Sequence, residues 1–194
     1  MDAAELVQRL HEQRLTTMAL ADQITGDRWR DPVLPGGRTL HDLLAHLVAW
    51  DEWAYAVFDI SRVRDELPAV LLNAPRDADA YDARHERRMR NLTRDDILGT
   101  LQAGHNQLLK GAMAAGGAAW AERRFPDLAD ALPPKGDAPA IAGEPPEGPS
   151  VGSILAGLLE HEAAHDRELM AVFGIEPHLE RFGKPADEEP AGEE

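Results

Sequence analysis

Residues 150–174 read SVGSILAGLLEHEAAHDRELMAVFG, and this stretch decides the fold. Ile154, Leu155, Leu158, Leu169 and Val172 recur at the three- and four-residue spacing of one helical face. The spacing predicts a helix from about Ser150 to Gly174, where a glycine is well placed to stop it. His161 and His165 are four residues apart, so their side chains stack on one side. At 100° per residue they share the stripe of Ile154, Leu158 and Val172, which must face a core. Imidazoles in a core need polar partners or they impose a desolvation cost. A metal ion meets that need, and so would hydrogen bonds to backbone or water.

Working back toward the N-terminus, three more long amphipathic segments appear. Residues 3–24 carry Leu6, Val7, Leu10, Thr17, Met18 and Ala21 at helical spacing. Thr39 with Asp42 forms a capping signal, after which Leu40, Leu43, Leu44, Leu47 and Val48 mark a helix expected to reach about Val63. Thr93 with Asp96 opens another, over about 94–113, that buries Ile97, Leu101 and Leu108. A shorter helical segment is expected over 77–89. Its basic cluster, Arg84 to Arg90, is interrupted by Glu86 and reads as a solvated face.

Residues 120–150 lose all periodicity and fill with prolines, glycines and acids. A stretch of this kind is either a functional loop, with Trp120, Phe125 and Leu128 folding over a pocket, or disordered. The expected fold is therefore all-α, a four-helix bundle over residues 1–174 with one long, flexible loop before the last main helix. Residues 175–194 read as an acidic, solvated tail.

Composition narrows the function. Hydrophobic residues make up 43% of the 194, enough for a sizeable core. The formal charge of −15 disfavours nucleic-acid and membrane-surface partners. The chain has no cysteine, which removes disulfides, thiolate ligands and a cysteine nucleophile together. No stretch approaches the roughly 20 apolar residues that span a bilayer, and the N-terminus lacks a signal-peptide pattern. A cytoplasmic protein with a small-molecule substrate is expected.

His46 is the natural third partner for His161 and His165. It lies one turn from Leu43 and Trp50, on the inner side of its helix. Three protein ligands leave positions open for water or substrate, as catalytic metal sites do. Imidazoles suit Zn, Ni, Cu or Fe, and a divalent Zn or Ni is expected ahead of Fe. Asp42 could orient His46 or only complete the helix cap. Trp50, Trp53 and His105 are candidate walls of a substrate pocket; His105, on the stripe of Leu101 and Leu108, reads as a core or pocket-wall residue ahead of a metal ligand. His11, His41, His85 and His178 fall in polar or terminal contexts and carry no assigned role. No catalytic residue is identified.

Two resemblances bear on function. His161-Glu162-Ala163-Ala164-His165 matches the HExxH of zinc peptidases, in which the glutamate is a general base. The HxxGxxH continuation is missing, and Glu162, about 100° from His161, is expected to face solvent. The stretches RTLHDLLAHLVAWDEW (38–53), NLTRDDILGTLQAGHNQLL (91–109) and VGSILAGLLEHEAAHDREL (151–169) resemble, in order, helices of the DinB/YfiT-like superfamily of metalloenzymes. That resemblance implies a four-helix bundle, a His46–His161–His165 metal site and a homodimer. Branches of the family include thiol-dependent transferases and isomerases, using mycothiol or bacillithiol, and one that detoxifies a reactive cyclopropane natural product. The expectation is a metal-dependent transferase or hydrolase acting on a small electrophile, with a low-molecular-weight thiol as cosubstrate. A non-catalytic metal-binding stress protein and a small metallopeptidase are the competing readings.

Overall fold

The computed structural model describes residues 3–64, 66–115, 117–131, 137–141, 143–144 and 147–179. Its described residues form six α-helices and almost no strand: α1 (Ala3–Gln23), α2 (Leu40–Ile60), α3 (Ala69–Asn73), α4 (Ala78–Met89), α5 (Arg94–Ala115) and α6 (Val151–Phe173). The protein is all-α, as expected.

Helix starts follow the local chemistry. The Thr39 hydroxyl accepts from the Asp42 N–H at 3.1 Å, and the Asp42 carboxylate accepts from the Thr39 N–H at 3.0 Å. This reciprocal cap satisfies two N–H groups that α2 would otherwise leave open. Thr93 and Asp96 repeat the arrangement before α5. The Ser150 side chain caps α6, and Gly174 ends it in a left-handed conformation (φ 64°). One boundary and one expected core residue differ from the sequence reading. Helix α2 stops at Ile60 rather than near Val63, which is exposed, and Arg123 donates to the Ser61 carbonyl left open at its end. Val172 is also exposed, and Phe173 makes the last apolar contact of α6 instead.

Packing is closest between α2 and α5 and between α1 and α6, with α4 and α6 also against α2. The apolar core divides into two clusters. One joins Leu6 and Leu10 of α1 to Trp50, Trp53 and Phe58 of α2, Leu108 of α5 and Ile154, Leu155 and Leu158 of α6. The other joins Leu20, Leu43, Leu44, Leu47, Ile97, Leu101 and Leu169. Each long helix carries buried polar residues where it passes from one cluster to the other: Arg14 and Thr17, His46 and Asp51, His105, and Glu162, His165 and Asp166. A polar belt thus crosses the interior at one level, and it contains the candidate site.

The stretch before α6 is folded where it is described. Two short 3-10 helices, Gly117–Glu122 and Pro126–Ala131, precede a small hairpin of β1 (Gly143–Glu144) and β2 (Gly148–Pro149). Phe125 and Leu128 are buried in the first cluster and Trp120 packs on it, which favours the folded reading for these residues. The remainder of the expected flexible loop, 132–136 among it, and residues 180–194 of the expected tail lie outside the described residues. The start of that tail is tied down: Gln23 donates to the Glu176 carbonyl at 2.7 Å. No helix among the described residues is long and apolar enough to cross a membrane.

Candidate metal centre

His46 enters the interior from α2 and His161 and His165 from α6, all on the faces that their apolar neighbours also bury. The structure brings these three predicted residues together. His161 Nε2 lies 3.1 Å from His46 Nε2 and 3.2 Å from His165 Nε2. The ring centroids are 4.6 to 5.1 Å apart, with the planes tilted or edge-on. Asp137 joins them, and one ligand atom from each of the four groups lies within 4.8 Å of the others.

Protons decide what this cluster wants. His165 Nδ1 is 3.0 Å from Glu168 Oε2; the carboxylate accepts, so Nδ1 donates and Nε2 carries the lone pair. His46 Nδ1 lies 2.9 Å from Asp82 Oδ2, at an angle short of a formed hydrogen bond, which favours the same tautomer. His161 Nε2 then faces three acceptors: the two other Nε2 atoms and the Asp137 carbonyl oxygen at 3.0 Å. One N–H satisfies one of the three. The unshared lone pairs left pointing at a common centre fit a cation.

Electrostatics agree. Burial, and then the neighbouring His161, lowers His46 to about 3. Burial and the same neighbour lower His165 to about 4. Both rings are therefore neutral near pH 7, the form that ligates a metal. Burial and the nearby Asp137 push Asp82 up to about 7. Asp137 itself is held below the usual carboxylate range: burial opposes this, but His161, His165, His46 and Arg38 together outweigh it. A group of three imidazoles and one carboxylate, braced from behind by Asp82 and Glu168, could hold a divalent ion.

Other candidates land differently. The Trp50 ring is 6.3 Å from His46, edge-on, and adjoins the site. Trp53 meets Trp50 edge-on at 5.6 Å and donates its indole N–H to the Leu71 carbonyl. His105 is fully buried on α5, its ring 6.3 Å from His11, and both ring nitrogens are without hydrogen-bond partners among the described residues. That is a core position. His41 and His85, read as polar-context residues, are buried against Trp29 and Tyr81. Asp42 serves the α2 cap, and the carboxylate beside His46 is Asp82 of α4.

Glu162 corrects the sequence reading most sharply. It is 3% exposed, not solvent-facing, and points away from the imidazoles toward α1. Arg14 holds it at 2.9 Å through Nε, and the Thr17 hydroxyl donates to it at 2.6 Å. The same Arg14 pairs with Asp51 at 2.9 Å, while Asp166 lies 3.0 Å from the Thr17 hydroxyl and accepts from Gln13. The belt's charges were readable in phase: Arg14 continues the Leu6–Leu10–Thr17–Ala21 stripe, and Glu162 and Asp166 continue Leu155–Leu169. Asp82 likewise falls in step with the buried Ala78, Tyr81, His85 and Met89. Asp137 had no such signal, because its segment has no periodicity.

No curated protein and no solved structure matches the chain. The family model of the DinB superfamily matches residues 9–169, a span that holds α2 to α5, most of α1 and α6, and all four residues of the cluster. The chain belongs to the DinB superfamily.

Proposed function

We propose that this protein is a metal-dependent enzyme of the transferase or hydrolase type, acting on a small electrophile, with a divalent Zn, Ni or Fe held by His46, His161 and His165. The observation that carries the reading is the convergence of three Nε2 atoms that cannot all be satisfied by protons. When bound, the ion would lower the pKa of a coordinated water or low-molecular-weight thiol and make it nucleophilic at neutral pH. With no cysteine in the chain, a thiol nucleophile has to come from a cosubstrate.

The chain's own residues prepare that chemistry. Glu168 fixes the His165 tautomer and Asp82 backs His46, so each Nε2 lone pair is aimed before any ligand arrives. Burial keeps the rings neutral. Trp50 supplies an apolar wall beside His46 and excludes water on that side. We place this site in a four-helix bundle of α1, α2, α5 and α6, read the protein as cytoplasmic from its sequence, and read it as a homodimer by family resemblance. The peptidase reading loses support because the glutamate it needs as a base is engaged by Arg14 and Thr17.

The test is metal analysis of protein purified without nickel affinity. Stoichiometric divalent metal is expected, lost on His46→Ala. Metal-free protein whose behaviour His46→Ala leaves unchanged would sink the proposal.

A further inference from the structure

The carboxylate of Asp137 is mounted unlike the three imidazoles it faces. Its oxygens lie 3.6 Å from His161 Nε2, 3.6 Å from His165 Nε2 and 3.8 Å from His46 Nε2. A tetrahedral ion with bonds of about 2.0–2.2 Å separates its ligand atoms by about 3.3–3.6 Å, so Asp137 stands close to where a fourth ligand belongs. The histidines sit on helices and their side chains are 1 to 8% exposed; Asp137 sits outside any helix, and its side chain is 41% exposed. Its oxygen Oδ2 is already paired with the Arg38 guanidinium. Arg38 also reaches Glu168 at 3.7 Å, the residue that orients His165.

Two features hold this arrangement in place. Arg38 precedes the α2 cap, and its carbonyl accepts from the Leu34 N–H at 3.0 Å, which anchors the base of its side chain. The 137–141 segment is seated by Gly157, one helical turn before His161. A Cβ there would lie 2.8 Å from the Ala140 carbonyl oxygen and 3.0 Å from Ile141. Only a glycine lets this backbone lie directly on α6 and carry Asp137 over the imidazoles.

We propose, building on the three-histidine reading above, that Asp137 is a fourth and exchangeable ligand of that metal, and that Arg38 receives its carboxylate when an anionic ligand enters. Three neutral imidazoles leave a divalent ion with its full charge, and Asp137 offsets part of it at rest. An incoming anion replaces that negative charge while the freed carboxylate remains paired with Arg38. Neither charge is stranded, and a half-exposed ion pair is weak enough to be remade. The site is thus closed at rest and open to anions, which selects ligands that bind the metal through a negatively charged atom.

The full chain loaded with Co2+ tests this, read by its visible ligand-field bands, by chelator competition and by titration with azide as a plain anionic ligand. Asp137→Ala is expected to shift the bands, to weaken Co2+ binding by roughly tenfold or more, and to bind azide more tightly than the parent. Asp137→Asn repeats the comparison with side-chain volume kept. Gly157→Ala should reproduce the band shift with Asp137 still present. Arg38→Met should keep the bands but bind azide more weakly, since the carboxylate has lost its second partner. Parent bands and parent Co2+ affinity in both Asp137 variants overturn the fourth ligand. Equal azide affinity in the parent, Asp137→Ala and Arg38→Met overturns the exchange. A parent that holds no Co2+, or a His46→Ala that holds it equally well, overturns the three-histidine reading itself.

Discussion

Arg14 and Glu162 meet across the interface of α1 and α6, guanidinium to carboxylate at 2.9 Å, with both side chains at most 5% exposed. Glu162 lies between His161 and His165 on its helix, so the same turn of α6 faces the imidazole cluster on one side and a buried ion pair on the other. The pair, with Asp51 and Thr17, ties three helices together at the level of the site.

Replacing Arg14 leaves Asp51 and Glu162 buried without a cation. Removing one partner of a buried pair typically costs about 3–5 kcal/mol. Urea unfolding of Arg14→Met should show a loss of that order; a loss within the roughly ±0.5 kcal/mol usual for surface changes would mean the network is not holding the helices.

Glu162→Gln separates structure from chemistry. It removes a charge that Arg14 needs, so thermal stability should fall, but the bound metal should stay because Glu162 does not face it. Retained metal with a lower Tm, measured on the same sample, is the expected pair of results. Metal loss without a change in Tm would contradict the geometry.

Asp42 and Asp82 should part company. Asp42→Ala removes one half of the α2 cap, at a cost of about 0.5–2 kcal/mol, and should leave metal affinity alone. Asp82→Asn should weaken metal binding by roughly 10–100-fold, as loss of a residue bracing a ligand commonly does. Competition against a chromogenic chelator, alongside urea titration, distinguishes the two.

His105 predicts an acid-sensitive core. Burial, with Arg14 and His11 nearby, lowers it to about 3 from an ordinary 6.5. The unfolded chain takes up this proton first as pH falls, so the stability it contributes is present above about 6.5 and is lost progressively down toward about 3. His46 and His165 act in the same direction, whereas Asp51 and Asp166, pushed up to about 7 and about 8 chiefly by burial, act in the opposite one. The variant isolates one contribution: stability of the parent relative to His105→Leu should fall by about 1.4 kcal/mol per pH unit below 6.5. A pH-independent difference between the two proteins would refute it.

Much of this molecule was legible in its pattern. Stripes such as Leu40–Leu43–Leu44–Leu47 and caps such as Thr39–Asp42 act within a few residues of one another, so the long helices could be placed before any tertiary contact was known. The helical period also predicted that His46, His161 and His165 face inward, because a helix that buries Leu158 and Leu169 must turn those histidines with them. Where helices packed on partners, the reading was weaker. Arg14, Asp51, Asp82, Glu162 and Asp166 sit in phase with apolar stripes, yet the partners that let such charges be buried lie on other helices.

The residue types, their period and their caps therefore determined an all-helical chain with three imidazoles turned inward. Only the tertiary structure decided which charges neutralise each other, that Asp82 rather than Asp42 stands behind His46, and that Asp137 reaches the histidines. The reason is physical. Helix formation and inward facing are set by neighbours three and four residues away, whereas Arg14–Glu162 and Asp137–His161 join residues far apart in sequence. The HEAAH stretch carries both lessons: its histidines were placed by their spacing, and its glutamate only by the arginine of another helix.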